Sequence, residues 1–302
     1  MFRKNKHLTV KTGLDDKLFY AFSYIIIAIL VLIVLYPMIY VISASMSSAN
    51  AIMSGKVWFF PVDLSFAGYK AVLKSSNVWT GYKNTIFYTV VGTFINICMT
   101  LSCAYPLART NLYGRRAITL LFTFTMLFSG GMIPNYLLMK NIGLLNTRWA
   151  LLIPGAISVY NMIVARTFIQ SSIPSELLES AQIDGCSDFI YFFKMVLPLS
   201  KSIIAVLTLW YAVSHWNSYF NAFLYLSDKN LYPLQIFLRD ILISTQISAE
   251  LAEDPEIAEK LRTAQMTLKY SMIVISTAPL FVFYPFAQKH FVKGVMIGSV
   301  KG

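Results

Sequence analysis

The chain has 302 residues, of which 57% are hydrophobic and 13% are charged, and its mean hydropathy is +0.61. A soluble domain carries about 25% charged residues, because its surface must be covered with polar groups. This composition excludes a soluble globular domain, a disordered chain and a disulfide scaffold, and it predicts a protein embedded in lipid. The basic residues behind the net charge of +11 lie between apolar runs, which indicates a membrane-orientation signal and no nucleic-acid partner.

Six apolar runs, each about 18 residues or longer and free of charged side chains, predict six transmembrane helices. The runs lie at residues 19–43, 84–108, 117–139, 149–165, 202–226 and 270–287. Gly130, Gly131 and Pro134 are expected to break or bend the third run. Alternating ten-residue segments, the signature of a membrane barrel, are absent, so we predict an all-α integral membrane protein.

The spans divide the chain into a short N-terminal segment, a first helix, a long loop, a core and a tail. We place these at residues 1–18, 19–43, 44–83, 84–287 and 288–302. Lys and Arg are more frequent on the side that holds both termini, most clearly at Arg109, Arg115 and Arg116 between the second and third spans. By the positive-inside rule, both termini lie in the cytoplasm and the long loop faces outward.

The spans lack the side chains on which membrane catalysis or proton coupling usually depends. None of the six runs contains Asp, Glu, Lys or Arg, which weighs against H⁺ coupling but leaves a Na⁺ site of carbonyl and hydroxyl oxygens open. The chain has no H-E-x-x-H, no G-x-S-x-G, no clustered metal ligands and no phosphate-binding G-x-x-x-x-G-K-[ST]. We therefore predict no catalytic residue, no metal and no cofactor in this chain. Uphill transport would then need energy from another subunit.

A polar loop between the fourth and fifth spans, residues 172–199, has the pattern of two short helices around a turn. Pro174 suits the first helical turn, and Gly185 is expected to end the first helix because glycine adopts a positive φ readily. Ser187 can cap a second helix, which Pro198 is expected to end. Two interpretations are open from this pattern: an amphipathic helix at the membrane surface, or a rigid element that docks a partner.

Residues of this loop stand at the spacing of a known family motif. The loop resembles the EAA loop of bacterial ABC importer permeases, whose pattern is E-A-A-x-x-x-G-x₉-I-x-L-P. The matching residues, with the aspartate that typically precedes the glycine, are Glu179, Ala181, Asp184, Gly185, Leu197 and Pro198. Ser180 and Met195 depart from the pattern, and both are small changes in bulk that leave the expected shape of the loop intact.

The resemblance extends to the MalG-like and LplC-like branch of these permeases, which takes up carbohydrates. Residues 130–147, Trp216-Asn217 and the tail 288–302 are similar to that branch. The resemblance implies a type I ABC importer permease fold in the cell membrane, with a cytoplasmic coupling helix between spans four and five. It also implies a second homologous permease, two ATPase subunits that hold ATP and Mg, an extracytoplasmic solute-binding protein and a carbohydrate substrate. Glu179 would then meet a basic residue of an ATPase, and Gly185 would shape the turn.

The fifth predicted span carries polar side chains that are unusual within a bilayer. One face of a continuous helix would hold Trp210, Ser214, Asn217 and Asn221, with Ser218 beside them. Aromatic rings and amides suit a sugar, because rings stack on its CH faces and amides bond its hydroxyls. Two interpretations remain open: these side chains line a solute pathway, or they hold helices together. Asn84 is a weaker pathway candidate, and His215 is predicted to be a hydrogen-bonded core residue.

No charged residue faces the predicted pathway, so a neutral solute fits it better than a strongly charged one. The leading hypothesis is a permease subunit of an ATP-driven importer for oligosaccharides or related carbohydrates. The alternatives are an ion-coupled secondary transporter that works alone and a membrane scaffold that docks a soluble partner. Transport by the purified chain without an ATPase distinguishes the secondary transporter, and solute-stimulated ATP hydrolysis distinguishes the importer from the scaffold.

Overall fold

The computed structural model describes residues 13–250 and 255–299, and these residues form helices joined by short connections. The described ranges contain no strand, only an isolated bridge between Ser47 and Leu64, so the predicted all-α fold is confirmed for them. In chain order the helices are α1 (Leu14–Ser45), α2 (Ala49–Met53), α3 (Ala67–Lys74), α4 (Ser76–Ala108), α5 (Arg115–Leu127), α6 (Met132–Asn141), α7 (Trp149–Leu152), α8 (Val159–Ser172), α9 (Ser175–Ile183), α10 (Asp188–Tyr191), α11 (Leu197–Leu199), α12 (Lys201–Trp216), α13 (Phe220–Tyr225), α14 (Leu234–Glu250) and α15 (Pro255–Ser299). A π-helical segment (Phe192–Val196) joins α10 to α11, and a 3₁₀ turn (Lys229–Leu231) precedes α14.

The first two predicted spans are confirmed as long apolar helices. α1 has 32 residues and α4 has 33, and both are long and apolar enough to cross a membrane. The side chains of α1 are exposed almost throughout, and only Ser43, Ala44 and Ser45 at its end are buried. A helix that is apolar on all sides and is not covered by its own chain requires lipid or another subunit around it.

Two further segments have the length and hydropathy of a span only as bent pairs of helices. α5 and α6 meet at 111° around Gly130 and Gly131, and Gly131 has a φ of +86°, so the predicted break is confirmed. Pro134 lies in the first turn of α6, where its missing N–H would have no helical partner. The segment Asp188–Leu199 meets α12 at 79°. The described residues thus hold two to four candidate spans, and the count of six stays a prediction.

The fourth predicted span is not one continuous helix, and the sixth lies within a longer helix than the sequence predicted. The fourth run, 149–165, holds α7, an irregular stretch at 153–158 and only the first part of α8, because helices usually end before a proline such as Pro154. The sixth run lies inside the much longer α15, which continues through most of the predicted tail to Ser299. Residues 1–12, within the predicted N-terminal segment, and 300–302, at the end of the predicted tail, lie outside the described residues.

The fifth predicted span is not one continuous helix, because α12 ends at Trp216 and α13 begins at Phe220. The side-chain Nδ2 and the backbone N–H of Asn217 both donate to the Val213 carbonyl oxygen, at 2.9 Å and 3.1 Å. Asparagine competes with the helix for backbone hydrogen bonds in this way and favours helix ends over helix interiors. The chain therefore leaves the helix in the middle of the polar face that the sequence predicted.

A buried row of polar side chains on α4 organises the helices around it. We call it the α4 polar stripe, and its members are Asn84, Thr85, Tyr88, Asn96 and Thr100, all less than 3% exposed. The Asn84 Nδ2 donates to the carbonyl oxygens of Asn230 and Tyr232, at 2.7 Å and 3.1 Å. The Tyr88 hydroxyl donates to the Leu231 carbonyl at 2.8 Å, and the Thr85 hydroxyl accepts from the Leu234 N–H at 2.8 Å. The stripe thus supplies partners for the irregular backbone that leads into α14.

Asn96, toward the C-terminal end of the α4 polar stripe, supports another irregular stretch, residues 153–158. The Asn96 Nδ2 donates to the carbonyl oxygens of Gly155 and Ala156, at 2.8 Å and 3.0 Å, and its Oδ1 lies 2.6 Å from the Nε2 of His215. A Cβ at Gly92 would lie 2.4 Å from that Nε2, so the absence of a side chain there makes room for the imidazole. His215 is therefore a hydrogen-bonded, half-buried residue, as predicted.

Replacing Asn96 with leucine should lower the free energy of unfolding by about 2 kcal/mol, because two carbonyl groups and one imidazole lose the hydrogen bonds of a buried amide. The matched control is Asn221→Leu, since the Asn221 amide is exposed and makes no hydrogen bond in the described part of the chain. Thermal unfolding of the detergent-purified variants measures the difference. Equal midpoints for the two variants would contradict a structural role of the α4 polar stripe.

Candidate functional site

The loop that resembles the EAA motif begins with a helix that shows different chemistry on its two faces. Pro174 takes the N-cap position of α9, and Glu176 lies in its first turn, where a carboxylate favours the positive helix end. Leu178 and Ala181 are half-buried and pack against the main hydrophobic cluster. Glu179 lies on the exposed side of α9 and has no ion-pair partner among the described residues. α9 therefore presents a free carboxylate from a helix that is held by its opposite face.

The turn after α9 is a Schellman motif, in which glycine closes the helix. Gly185 has a φ of +73°, and its N–H donates to the Gln182 carbonyl oxygen at 3.0 Å. The N–H of Cys186 reaches back to the Ala181 carbonyl oxygen at 2.9 Å. These two bonds satisfy carbonyl groups that the end of a helix leaves free. The helix end predicted at Asp184-Gly185 is therefore where the structure places it.

The second helical part of the loop is longer than predicted. Ser187 caps α10 as expected, with its Oγ accepting from the Ile190 N–H at 3.4 Å. Leu197 and Pro198 do not end this part, because the helical path continues through the π-helical segment and α11 to Leu199. A proline removes a backbone donor, and a π-helical segment is one of the local changes by which a helix accommodates that loss. The chain turns into α12 at Ser200 instead.

The whole loop is fixed to the body of the protein by apolar packing. Tyr191 and Val196 are almost fully buried in a cluster built from α4, α8 and α12. Around them lie half-buried members of the loop, namely Ile173, Leu178, Ala181, Cys186, Phe192, Met195 and Leu197. Tightly packed interiors have few alternative arrangements, so a loop held in this way moves with the helices that hold it. It has the stiffness that a docking element needs.

An ion pair that sequence reasoning missed connects the loop to the end of α4. The Arg109 Nη1 lies 2.5 Å from the Asp188 Oδ1, and the ring of Tyr105 lies 5.1 Å from that of Phe192 beside it. Burial lowers the pKa of the Arg109 guanidinium, but its hydrogen bond to Asp188 raises it, and the net pKa lies above the ordinary value. Burial raises the pKa of the neighbouring Tyr191 phenol. The basic residues after the second span drew attention to Arg109 as a marker of membrane orientation, but nothing in the sequence paired its side chain with Asp188.

The polar residues predicted on the fifth span do not share one helix face. Trp210 and Ser214 lie on α12, Asn217 and Ser218 lie in the break, and Asn221 lies on α13. The prediction of a single face is wrong because it assumed a continuous helix. Ser214, Asn217 and Asn221 are nevertheless exposed, and Trp210 and Ser218 are half-buried.

Asn84 differs from the other pathway candidates because it is 1% exposed. Its Nδ2 is bonded to two carbonyl groups, and its Oδ1 accepts from the Arg148 guanidinium at 3.3 Å. Arg148 also stacks on the ring of Phe87. A separate groove of about 520 Å³ between α2, α3 and α15 includes Asn50 and Glu259 in its lining and shares no residue with the loop or with the polar positions on α12 and α13.

Comparison with known proteins gives this arrangement a family. The family described as "Binding-protein-dependent transport system inner membrane component" matches residues 78–297. The chain is 41% identical over 294 residues to the "Polygalacturonan/rhamnogalacturonan transport system permease protein YtcP" of Bacillus subtilis (strain 168), covering 97% of this chain and all of that protein. It is 42% identical over 270 residues to "Protein LplC" of the same organism, covering 89% of this chain and 90% of that one.

A solved structure shows the same fold. It is described as a "bacterial ABC transporter involved in the import of the acidic polysaccharide alginate", and one of its chains superposes with a TM-score of 0.83 at 36% identity. The match covers 94% of this chain and all of that chain. These relatives are transport proteins and not enzymes, which agrees with the prediction of a transporter. The chain belongs to the family of binding-protein-dependent inner membrane components, the permease subunits of ABC importers.

Proposed function

We propose that this permease is one of two homologous subunits that form the translocation pathway of an ATP-driven carbohydrate importer. The loop 172–199 lies on the cytoplasmic side and seats on an ATPase, so that α9 is the coupling helix. Six spans cross the cell membrane in this proposal, with α5–α6 and the α12–α13 region as broken spans and both termini in the cytoplasm. ATP and Mg are held by two ATPase subunits, and this chain contributes no cofactor site.

The observation that carries this proposal is the construction of α9. An exposed carboxylate, Glu179, projects from a helix whose other face is packed on the core and whose end is closed by Gly185. A carboxylate at a partner surface favours a basic group opposite, and burial of that pair strengthens its electrostatic attraction. A membrane-surface helix would instead place its apolar residues outward into lipid. Leu178 and Ala181 pack toward the core, which supports docking over that alternative, and the exposed Ile183 at the end of α9 is then an apolar contact for the partner.

The remaining partners follow from the family. A binding-protein-dependent permease works with an extracytoplasmic protein that delivers the solute, and α1 is exposed over most of its length, as expected for a helix beside a second subunit or lipid. Dependence on a binding protein also favours ATP-driven import over an ion-coupled transporter that works alone. The absence of charged residues from the six apolar runs points the same way.

For the solute, we propose an oligosaccharide, with uronate-containing oligomers as first candidates. Two of the three named relatives are described as transporting polygalacturonan or rhamnogalacturonan and the acidic polysaccharide alginate. The apolar runs alone favoured a neutral solute, and the second permease or the binding protein would then supply countercharges. Exposed or half-exposed side chains around the break between α12 and α13 line the pathway in this proposal, namely Trp210, Ser214, Asn217, Ser218 and Asn221. Asn84 is set aside, because its amide is occupied by the protein's own groups.

Glu179→Lys should reduce uptake about tenfold or more and release the ATPase, because a reversed charge would face the basic group of the partner. Uptake of labelled oligogalacturonate, with raffinose as a neutral comparison, is measured in cells that lack the native gene and carry the variant. Pull-down of the tagged permease reports the ATPase. Asp240→Lys is the control, since Asp240 is an exposed carboxylate on α14. Normal uptake and normal ATPase recovery with Glu179→Lys would reject the proposed coupling.

Gly185→Val should abolish uptake while leaving the chain inserted in the membrane. A residue with a side chain pays roughly 1–2 kcal/mol for the left-handed conformation, and a β-branched one pays more, so the Schellman turn would rearrange and shift α9. Gly155→Val is the control, because a Cβ there meets no atom within 4 Å and the residue lacks a left-handed φ. Membrane fractionation and the same uptake assay measure the two effects, and wild-type uptake with Gly185→Val would refute the role of the turn.

Asn221→Ala should raise the KM for uptake about fivefold, because a hydrogen bond to a solute hydroxyl contributes about 1 kcal/mol. The unfolding temperature should stay unchanged, since the amide has no partner in the described part of the chain. Asn141→Ala on α6, another exposed asparagine, is the control. An unchanged KM would remove Asn221 from the pathway and favour a packing role for it.

A further inference from the structure

We propose that the ion pair between Arg109 and Asp188 is the link that passes movement of the coupling loop to α4 and α5. Both residues then act as positioning residues for transport, and neither touches the solute. The inference rests on the proposed function in one respect, namely that α9 receives the movement of an ATPase. It goes further by stating how that movement reaches two helices that have no covalent connection to the loop.

On the side of the loop, Asp188 is rigidly placed relative to α9. It is the first residue of α10, directly after the Ser187 cap, and only the closed turn around Gly185 separates it from the coupling helix. Both hydrogen bonds of that turn close the end of α9, and the Ser187 cap starts α10 one residue after Cys186. A carboxylate in the first turn of a helix is further stabilised by the helix dipole. Displacement of α9 therefore displaces the Asp188 carboxylate.

On the side of the body, Arg109 stands where three helices meet. It follows the last residue of α4, and the carbonyl groups around it are bound by side chains of the neighbouring helices. The Arg166 Nε and the Gln170 Nε2, both on α8, donate to the carbonyl oxygens of Leu107 and Ala108, at 3.0 Å and 3.1 Å. The Arg115 Nη1, on α5, donates to the carbonyl oxygen of Arg109 itself at 3.1 Å. Displacement of the Arg109 side chain would therefore be passed to the end of α4 and to the start of α5.

The chain itself already connects the loop to two other helices. α8 leads into α9 through Pro174, and α11 leads into α12 through Ser200, so those helices follow the loop through covalent bonds. α4 and α5 lack such a connection. In the described part of the chain, the end of α4 meets the loop through the Tyr105–Phe192 ring contact and the ion pair, and α5 reaches that end through Arg115. Apolar packing holds the loop against α4 without fixing a direction, because its attraction does not depend on orientation, whereas a charged hydrogen bond fixes both partners and direction. The ion pair is therefore the directional contact between the loop and the end of α4.

The two partners differ in exposure, so the ion pair can be removed at its exposed partner without unfolding the protein. The Arg109 side chain is 14% exposed and the Asp188 side chain is 61% exposed. An exposed carboxylate contributes little to stability through an ion pair, roughly 0–1 kcal/mol, so removing its charge should leave the fold intact. The Arg109 guanidinium keeps a contact with the Tyr105 hydroxyl at 3.5 Å. Asp188→Asn consequently tests the link, whereas a change at the more buried Arg109 would also test the fold.

The first experiment measures the rigidity of the link in the purified full-length chain. Spin labels are placed on cysteines at Tyr113 and Ile183, which are 99% and 87% exposed, after Cys98, Cys103 and Cys186 are changed to serine. Double electron–electron resonance should give a narrow distance distribution for the wild-type sequence, a broader one for Asp188→Asn and a narrow one again for Asp188→Glu. The control is Asp240→Asn, whose carboxylate is 55% exposed and lies 3.5 Å from Arg239. Equal widths for Asp188→Asn and Asp240→Asn would overturn the proposal.

The second experiment asks whether the link carries movement. Complexes purified through a tag on this chain are placed in vesicles, and labelled oligogalacturonate uptake is divided by ATP hydrolysed. Asp188→Asn should lower this ratio about threefold, the factor that corresponds to loss of one exposed ion pair, and Asp188→Glu should restore it. A broadened distribution with an unchanged ratio would also overturn the proposal. If no ATPase accompanies even the wild-type chain, the proposed function fails, and a broadened distribution then shows an ion pair that only holds the loop.

Discussion

The structure depends on one constraint: every backbone polar group that is buried away from water needs a partner inside the protein. Regular helices meet this constraint by themselves, but the stretches at 153–158 and 226–233 are irregular. The α4 polar stripe meets it for them, with Asn96 bound to the first stretch and Asn84 and Tyr88 bound to the second. α4 therefore supplies the hydrogen-bond partners that allow broken helices to exist in an apolar setting.

The same helix also carries the attachment of the loop 172–199. Its last carbonyl groups are bound by cationic and amide side chains from α5 and α8, which suits the negative end of the helix dipole. The apolar cluster beneath the loop is built on that end, and Arg109 projects from it toward Asp188. Because the irregular stretches and the loop share α4, a displacement at one end has a continuous, tightly packed route toward the other.

Sequence reasoning succeeded where a local rule was sufficient. The composition predicted a membrane protein, the apolar runs located α1 and α4, and glycine chemistry located the break at Gly131 and the turn at Gly185. It failed for the fifth span, because the rule of helical spacing cannot reveal that Asn217 bonds the Val213 carbonyl and ends α12. It could not foresee the burial of Asn84, whose partners lie 64 to 148 residues away along the chain.

The sequence by itself determined the class of protein and the resemblance of the loop 172–199 to the EAA motif, because hydropathy is a property of each segment and the EAA spacing lies within one loop. Only the tertiary structure decided which polar side chains are free and which are occupied. It distinguished exposed Asn221 from buried Asn84, and it paired Arg109 with Asp188. The physical reason is that a hydrogen bond or ion pair depends on distances between helices, and those distances follow from packing rather than from any local pattern.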